Sequence, residues 1–277
     1  MHSLDIQGSQ LEVRQIDGTA DLAPIVFLHE GLGSVSLWTQ RGLDWPLAVC
    51  QATGRAGVVY SRRGYGQSSK TQDGRNVLTA DYMHREAFDV LPALLAELRI
   101  QKPILLGHSD GATIALLHAS RFEVTACIAM APHVLVEPIA IKSISQTKQA
   151  FETGAESGAE SGAKSGVESG AESGGLRQRL AKHHADVDGA FWQWSDVWLS
   201  KAFASFDIRT ECGCITAPLL LMQGVNDEYG TMLQLDEIAK AALHAQQIRL
   251  ADCGHSPHRD QPQLCVDGVT SFLRSVG

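Results

Sequence analysis

Positive charge is in short supply in this chain. Its 277 residues carry 23 Lys and Arg against 31 Asp and Glu, a formal net charge of −8. Nucleic acid binds a basic face, so that class of partner is not expected. Long apolar runs are missing too. No stretch is long and apolar enough for a membrane span, and none is expected. The opening residues, Met1-His2-Ser3-Leu4-Asp5-Ile6, lack a basic region followed by an apolar one, so no secretory signal is expected. Cysteines are sparse and scattered, at Cys50, Cys127, Cys212, Cys214, Cys253 and Cys265. Without a signal they are expected to be reduced thiols, which fits a cytoplasmic protein. Cys212-Gly213-Cys214 has no second Cys pair or His pair to complete a zinc site, so no metal is expected.

What the chain does have is a regular alternation. Leu11–Ile16 alternates in polarity and reads as an edge strand. Mainly apolar runs at 24–28, 57–60, 104–106, 124–130 and 218–222 suit strands buried on both faces, and Gln247-Ile248-Arg249-Leu250 is read as another buried strand. Helical patterns occupy 45–53, 84–98, the stretch after Ser109, 231–245 and 261–275. Strands alternating with helices predict an α/β fold with a mostly parallel sheet covered on both sides.

Residues 133–214 break the alternation, because no buried strand is visible there. We read them as an inserted helical lid that separates a first part of the core, 1–132, from a second, 215–277. The lid ends in an aromatic cluster, Phe191-Trp192-Gln193-Trp194-Ser195-Asp196-Val197-Trp198, which holds three of the five tryptophans. It suits an apolar wall over a pocket and, equally, the packing of lid onto body. Within the lid, 154–173 repeats the unit Gly-Ala-Glu-Ser with small variations. A glycine every fourth residue opposes a helix, and the units offer nothing large to bury. A solvated loop is expected there.

The stretch with the clearest chemistry is Gly107-His108-Ser109-Asp110-Gly111. An apolar run precedes it and an Ala- and Leu-rich helical pattern follows, which is the strand–turn–helix context of a nucleophilic serine. Ser109 is the candidate nucleophile. A serine hydroxyl needs a base within hydrogen-bond reach. His255 follows a strand and a glycine and is the candidate, with His258 as competitor. Asp227, in the loop after the run 218–222, is the candidate orienting carboxylate, with Glu228 and Glu137 as alternatives. An oxyanion needs two N–H donors. Asp110 and Gly31 are the candidates, with Leu32 beside Gly31. His183-His184 reads as solvated lid surface, His118 as helix packing, and His133 as a possible pocket residue.

Taken together, His29-Glu30-Gly31-Leu32-Gly33, Arg63-Gly64-Tyr65-Gly66-Gln67-Ser68, Gly107-His108-Ser109-Asp110-Gly111, Gly224-Val225-Asn226-Asp227 and Gly254-His255 resemble the α/β-hydrolase superfamily. Within it, the chain is similar to small bacterial esterases, lactonases and C–C hydrolases. The resemblance covers nearly everything outside the repeat. It implies an eight-stranded sheet, a helical lid between the sixth and seventh strands, and a Ser–His–Asp mechanism with no cofactor and no metal. Two departures stand out. The chain reads His-Glu-Gly where His-Gly is usual, and Ser61 stands where many members carry Asp.

The expectation is therefore a hydrolase, monomeric or homodimeric, that cleaves a small ester, thioester or lactone through an acyl-Ser109 intermediate. A C–C hydrolase or related lyase acting on a ring-cleavage product would use the same three residues. It would want a basic group for the substrate carboxylate, and Arg62 and Arg63 are candidates, although a surface or sheet-edge place suits either better. A ligand-binding module that has lost catalysis is the alternative of another class. Activity is expected to rise through roughly pH 6 to 7 as His255 becomes neutral.

Overall fold

The structure is a computed structural model, and it describes residues 1–70, 78–154 and 175–276. The expected solvated loop therefore lies, beyond Gly154, outside the described residues. Eight strands form one sheet: β1 (His2–Ile6), β2 (Ser9–Ile16), β3 (Ile25–Leu28), β4 (Gly57–Tyr60), β5 (Ile104–His108), β6 (Ala126–Met130), β7 (Leu219–Gly224) and β8 (Gln246–Leu250). Their order is β1-β2-β4-β3-β5-β6-β7-β8. β1 and β2 pair antiparallel, β2 pairs antiparallel with β4, and every later pairing is parallel. The α/β fold and the eight strands agree with the sequence reading.

Successive residues of a strand point to opposite faces, so each central strand feeds two cores. Leu105, Cys127, Ala129, Leu219 and Leu221 enter one. That core is covered by α2 (Tyr82–Arg85), α3 (Leu91–Glu97), α4 (Asp110–Ala119) and α9 (Leu233–Ala241). Ile104, Leu106, Ile128, Met130, Leu220 and Met222 enter the other. It is covered by α1 (Trp45–Thr53) and the C-terminal α10 (Pro262–Ser275). The pattern over 84–98 is not one helix. A π turn at Glu86–Val90 joins α2 to α3, and Pro92 sits in the first turn of α3.

Between β6 and β7 the chain makes α5 (Pro138–Thr153), α6 (Leu176–Leu180), α7 (Val187–Trp198) and α8 (Arg209–Cys212). No strand lies among the described residues of this segment. The Asp186 carboxylate accepts from Gly189 N–H at 3.0 Å and caps α7. Phe191, Trp194, Val197 and Trp198 form the helix's apolar face and join the first core. Phe191 stacks on Phe151 of α5 with ring centres 3.7 Å apart.

Candidate active site

Ser109 sits between β5 and α4 with φ 53° and ψ −119°, a conformation few non-glycine residues adopt. The flanking glycines permit it. A Cβ on Gly107 would overlap the Gly111 carbonyl, and one on Gly111 would overlap the Leu28 carbonyl. The turn is held by Ser109 N–H, which donates to Met130 O at 2.9 Å. Its own carbonyl accepts from Ala112 and Thr113 N–H at 2.9 and 3.0 Å. Strand-end strain of this kind lifts the hydroxyl clear of the sheet.

The three candidate side chains meet. Ser109 Oγ lies 2.9 Å from His255 Nε2. His255 Nδ1 lies 2.9 Å from both carboxylate oxygens of Asp227. Asp227 is fixed in turn: Oδ1 accepts from Tyr229 and Gly230 N–H at 2.8 and 3.1 Å, and Oδ2 from Gln223 Nε2 at 3.1 Å. Burial opposes ionisation of Asp227, but the His255 ring and these donors outweigh it and hold the carboxyl below the usual carboxylate range. Burial likewise opposes protonation of His255, and Asp227, with Glu228 and Glu30 behind it, outweighs that and raises its pKa.

The alternatives to these residues have other places. Glu228 Oε2 accepts from the backbone N–H of His255 at 3.2 Å and does not meet the ring. Glu137 accepts from Thr231 N–H, Thr231 Oγ1 and Gln234 Nε2 at 2.9, 2.7 and 2.6 Å, so it anchors the chain just beyond Asp227. His258 is buried among Trp38, Trp45 and His108, and burial keeps its pKa well below that of a free imidazole. His133 does lie close, its ring centre 5.4 Å from that of His255 and 5.0 Å from that of Trp198. Burial pushes its pKa down to about 3. His118 Nδ1–H donates to Ala87 O at 2.8 Å, and the ring stacks on Phe122.

Two expectations are corrected. Arg62 is neither at the surface nor at the sheet edge: it is buried, with Nη2 donating to Glu30 O at 2.8 Å and lying 3.7 Å from the Asp110 carboxylate. Arg63 does reach the edge strand, donating to Ile6 O and Gln7 Oε1 at 3.1 Å each. His184 is not solvated lid surface. It is buried, accepts from Gly66 N–H at 3.0 Å through Nδ1, and donates to Leu32 O at 2.9 Å through Nε2. It therefore ties the segment after α6 to the loops that follow β3 and β4. Its His183 neighbour reaches Ser36 Oγ at 2.8 Å.

The two candidate oxyanion residues lie under α7. Trp194 packs directly on Gly31, and Trp198 Nε1 donates to Asp110 Oδ1 at 3.3 Å. The Asp110 carboxylate also accepts from Tyr82 Oη at 2.6 Å. Burial nonetheless raises the Asp110 pKa. Positions 194 and 198 are one turn apart, so they share a helix face. The loop holding Gly31 is shaped by His29, whose Nδ1–H donates to Glu30 O at 2.7 Å while Nε2 accepts from Arg62 N–H at 3.0 Å. Ser61, where Asp is usual, donates its hydroxyl to Glu12 Oε2 at 2.7 Å and accepts from Val35 N–H at 2.9 Å. Glu12 of β2 also accepts from Gln67 N–H at 3.0 Å, so a carboxylate still organises this turn, supplied by another strand.

All six cysteines are free thiols. Among the described residues, no group of three or more His, Cys, Asp or Glu side chains could hold a metal ion. No helix among them is long and apolar enough to cross a membrane.

Comparison with known proteins adds a second line of argument. Residues 25–267 match the family model described as the alpha/beta hydrolase family. The chain is 27% identical to the sn-1-specific diacylglycerol lipase ABHD11 of Mus musculus, with 97% of this chain and 87% of that protein covered. It superposes with a TM-score of 0.71 and 19% identity on the enol-lactonase from Burkholderia xenovorans LB400, with 98% and 99% of the two chains covered. It superposes with a TM-score of 0.73 and 17% identity on a structure reported among carboxylesterases of Nitrososphaera gargenis, with 97% and 95% covered.

Proposed function

The chain belongs to the alpha/beta hydrolase family, and we propose that it is a serine hydrolase that cleaves a small ester, thioester or lactone through an acyl-Ser109 intermediate. One observation carries this reading: His255 stands 2.9 Å from Ser109 Oγ on one side and 2.9 Å from the Asp227 carboxylate on the other. His255 takes the proton of Ser109 as the hydroxyl attacks the acyl carbon, then returns it to the leaving oxygen or sulfur. Asp227 fixes the Nδ1–H tautomer and stabilises the imidazolium. The backbone N–H groups of Asp110, at the first turn of α4, and of Gly31 hold the oxyanion. Water deacylates Ser109 by the same route in reverse.

Segment 133–214, through its described helices α5 to α8, is the lid over this centre, with Trp194 and Trp198 its apolar underside. That underside suits an apolar acyl group. The activity named for the mouse relative and those named for the structural neighbours support ester or lactone chemistry. The substrate is a small molecule, and the six free thiols fit a cytoplasmic protein.

A second reading is favoured by one feature. Arg62 is largely committed to Asp110 and the Glu30 carbonyl, yet its Nε and Nη1 have no acceptor among the described residues. A carboxylate-bearing ring-cleavage product could use them. The test is a panel of nitrophenyl esters of graded chain length, lactones and one ring-cleavage dienoate, with Ser109→Ala alongside. Ester or lactone turnover lost in the variant supports acyl transfer. Turnover of the dienoate alone moves the assignment to C–C cleavage, and turnover retained within about tenfold removes Ser109 from the mechanism.

A further inference from the structure

Glu30 is the residue that interrupts the usual His-Gly of the oxyanion loop, and it faces the catalytic histidine's loop. Its Oε2 lies 2.9 Å from His108 Nδ1, and its Oε1 accepts from Arg259 Nη2 at 2.6 Å. The other nitrogen of the same ring, His108 Nε2, lies 2.7 Å from the backbone carbonyl of His255. We infer that Glu30 is a positioning residue: by holding Nδ1 of His108 it aims the Nε2–H of that ring at the His255 carbonyl and so keeps His255 in reach of Ser109. The inference rests on the serine-hydrolase reading above.

The argument is hydrogen-bond accounting. Both nitrogens of His108 face oxygen acceptors, and a neutral imidazole can donate from only one. Glu30 is ionised: burial opposes this, but Arg259 and His108 outweigh it and hold the carboxyl well below the usual range. An ionised carboxylate at Nδ1 requires a proton there. The carbonyl at Nε2 requires another. The two ties thus hold the ring by different nitrogens, and Glu30 supplies the one at Nδ1. If the partner at Nδ1 is removed, the ring can rotate or turn its Nε2 lone pair toward the carbonyl, and the tie is lost.

Position in the chain makes that tie consequential. His108 directly precedes Ser109, Glu30 directly precedes Gly31, and Arg259 lies four residues beyond His255. One carboxylate thus joins the nucleophile turn, the oxyanion loop and the histidine loop. Two further ties on the histidine loop are Glu228 to His255 N–H at 3.2 Å and Asp260 to Gly254 N–H at 2.8 Å. Neither reaches the nucleophile strand.

The chemistry suggests a rescue experiment read by fluorophosphonate labelling of Ser109, which needs no known substrate. Glu30→Leu removes the partner at Nδ1. Glu30→Gln keeps one, because its amide N–H can donate to an unprotonated Nδ1 and leave the proton on Nε2. We expect Glu30→Leu to label about tenfold more slowly, with Glu30→Gln within about threefold of the wild type, since small displacements of a reacting group carry such costs. Equal labelling of Glu30→Leu and wild type would overturn the inference. So would equal losses in the Leu and Gln variants, which would mark Glu30 as a structural residue only. Should Glu30→Leu fail to fold, His108→Gln, which keeps a donor near the Nε2 position, and His108→Leu, which does not, decide the same question. If the wild type itself is not labelled, the serine-hydrolase reading falls and this one with it. Labelled wild type with an indifferent Glu30→Leu removes only the role of Glu30.

Discussion

The indole of Trp194 lies against the Cα of Gly31 so closely that a Cβ at position 31 would overlap its Nε1 and Cδ1. Glycine is required there by a neighbour from a helix more than 150 residues away in sequence. Gly31→Ala must displace either the ring or the loop, and the loop carries a proposed oxyanion donor. Losing one such donor costs on the order of 10²-fold in kcat. We expect a loss of that size with little change in KM, measured on whichever ester the panel identifies. Retention within about threefold would separate Gly31 from the oxyanion site.

One turn further along α7, Trp198 donates to Asp110 Oδ1 at 3.3 Å and lies 3.1 Å from Tyr82 Oη. Trp198→Phe keeps an aromatic ring but removes the donor. Asp110 is buried, and its remaining partners are Tyr82 and Arg62. The variant should lose about 1–3 kcal/mol of stability, the cost of an under-satisfied buried acceptor. Equilibrium denaturation checks this, and an unchanged midpoint would show that Tyr82 and Arg62 suffice for Asp110.

The raised pKa of His255 sets the direction of the pH response. The base must be neutral, so kcat/KM should rise with pH through a midpoint above the ordinary imidazole value of about 6.5. The titratable groups around the ring include Asp227, Glu228 and Tyr229 of one loop, Glu30, His133 and His108, from four separate segments. Stability runs the other way. A group whose pKa is raised on folding contributes fully below its unfolded value, and that contribution is lost as pH rises through the folded one. The titration that switches catalysis on therefore weakens the His255–Asp227 pair. Asp227→Asn removes the main force holding the proton, so burial then prevails and the acid limb should move to lower pH. Its plateau should fall by about 10⁴-fold, as for a triad left with the wrong tautomer. An acid limb unmoved by this substitution would assign it to another group.

Seven of the eight strands are legible in the sequence, β2 from its alternation and five others from mainly apolar runs bounded by loops, although β2 lies inside β1 rather than at the edge and the seventh, β8, is mostly exposed rather than buried. β1 is not: His2-Ser3-Leu4-Asp5-Ile6 is mostly exposed and owes its place to backbone pairing with β2. The meeting of Ser109, Asp227 and His255 is legible because each follows a strand end, and parallel strands bring those ends to one side. The places of Arg62, His184 and Glu30 are not. Each is a polar side chain whose burial is made by segments far away in sequence. His184 meets Gly66 across 118 positions, and Glu30 meets Arg259 across 229. Charge and polarity marked Arg62 and His184 as surface residues, nothing in the sequence assigned Glu30 its partners, and only the tertiary contacts supply the groups that make burial affordable.

The residues flanking 155–174 suggest that the segment can be removed. α5 ends at Thr153, Gly154 follows with φ 69°, and Gly175 then packs so tightly on the Gly154 carbonyl that it could carry no Cβ. The two ends thus already touch, and α5 and α6 reach α7 from either side of that contact. Deleting 155–174 joins Gly154 to Gly175 without asking either helix to move. The closure entropy of a loop changes only slowly with its length, by about 0.6 kcal/mol per doubling. For a chain of this size such a change is worth only a few degrees, so Tm should stay within about 4 °C of the full chain. Labelling of Ser109 should be unaltered. A fall beyond about 10 °C would mean the segment supports the lid with contacts worth several kcal/mol, and selective loss of labelling at unchanged Tm would place it at the active site.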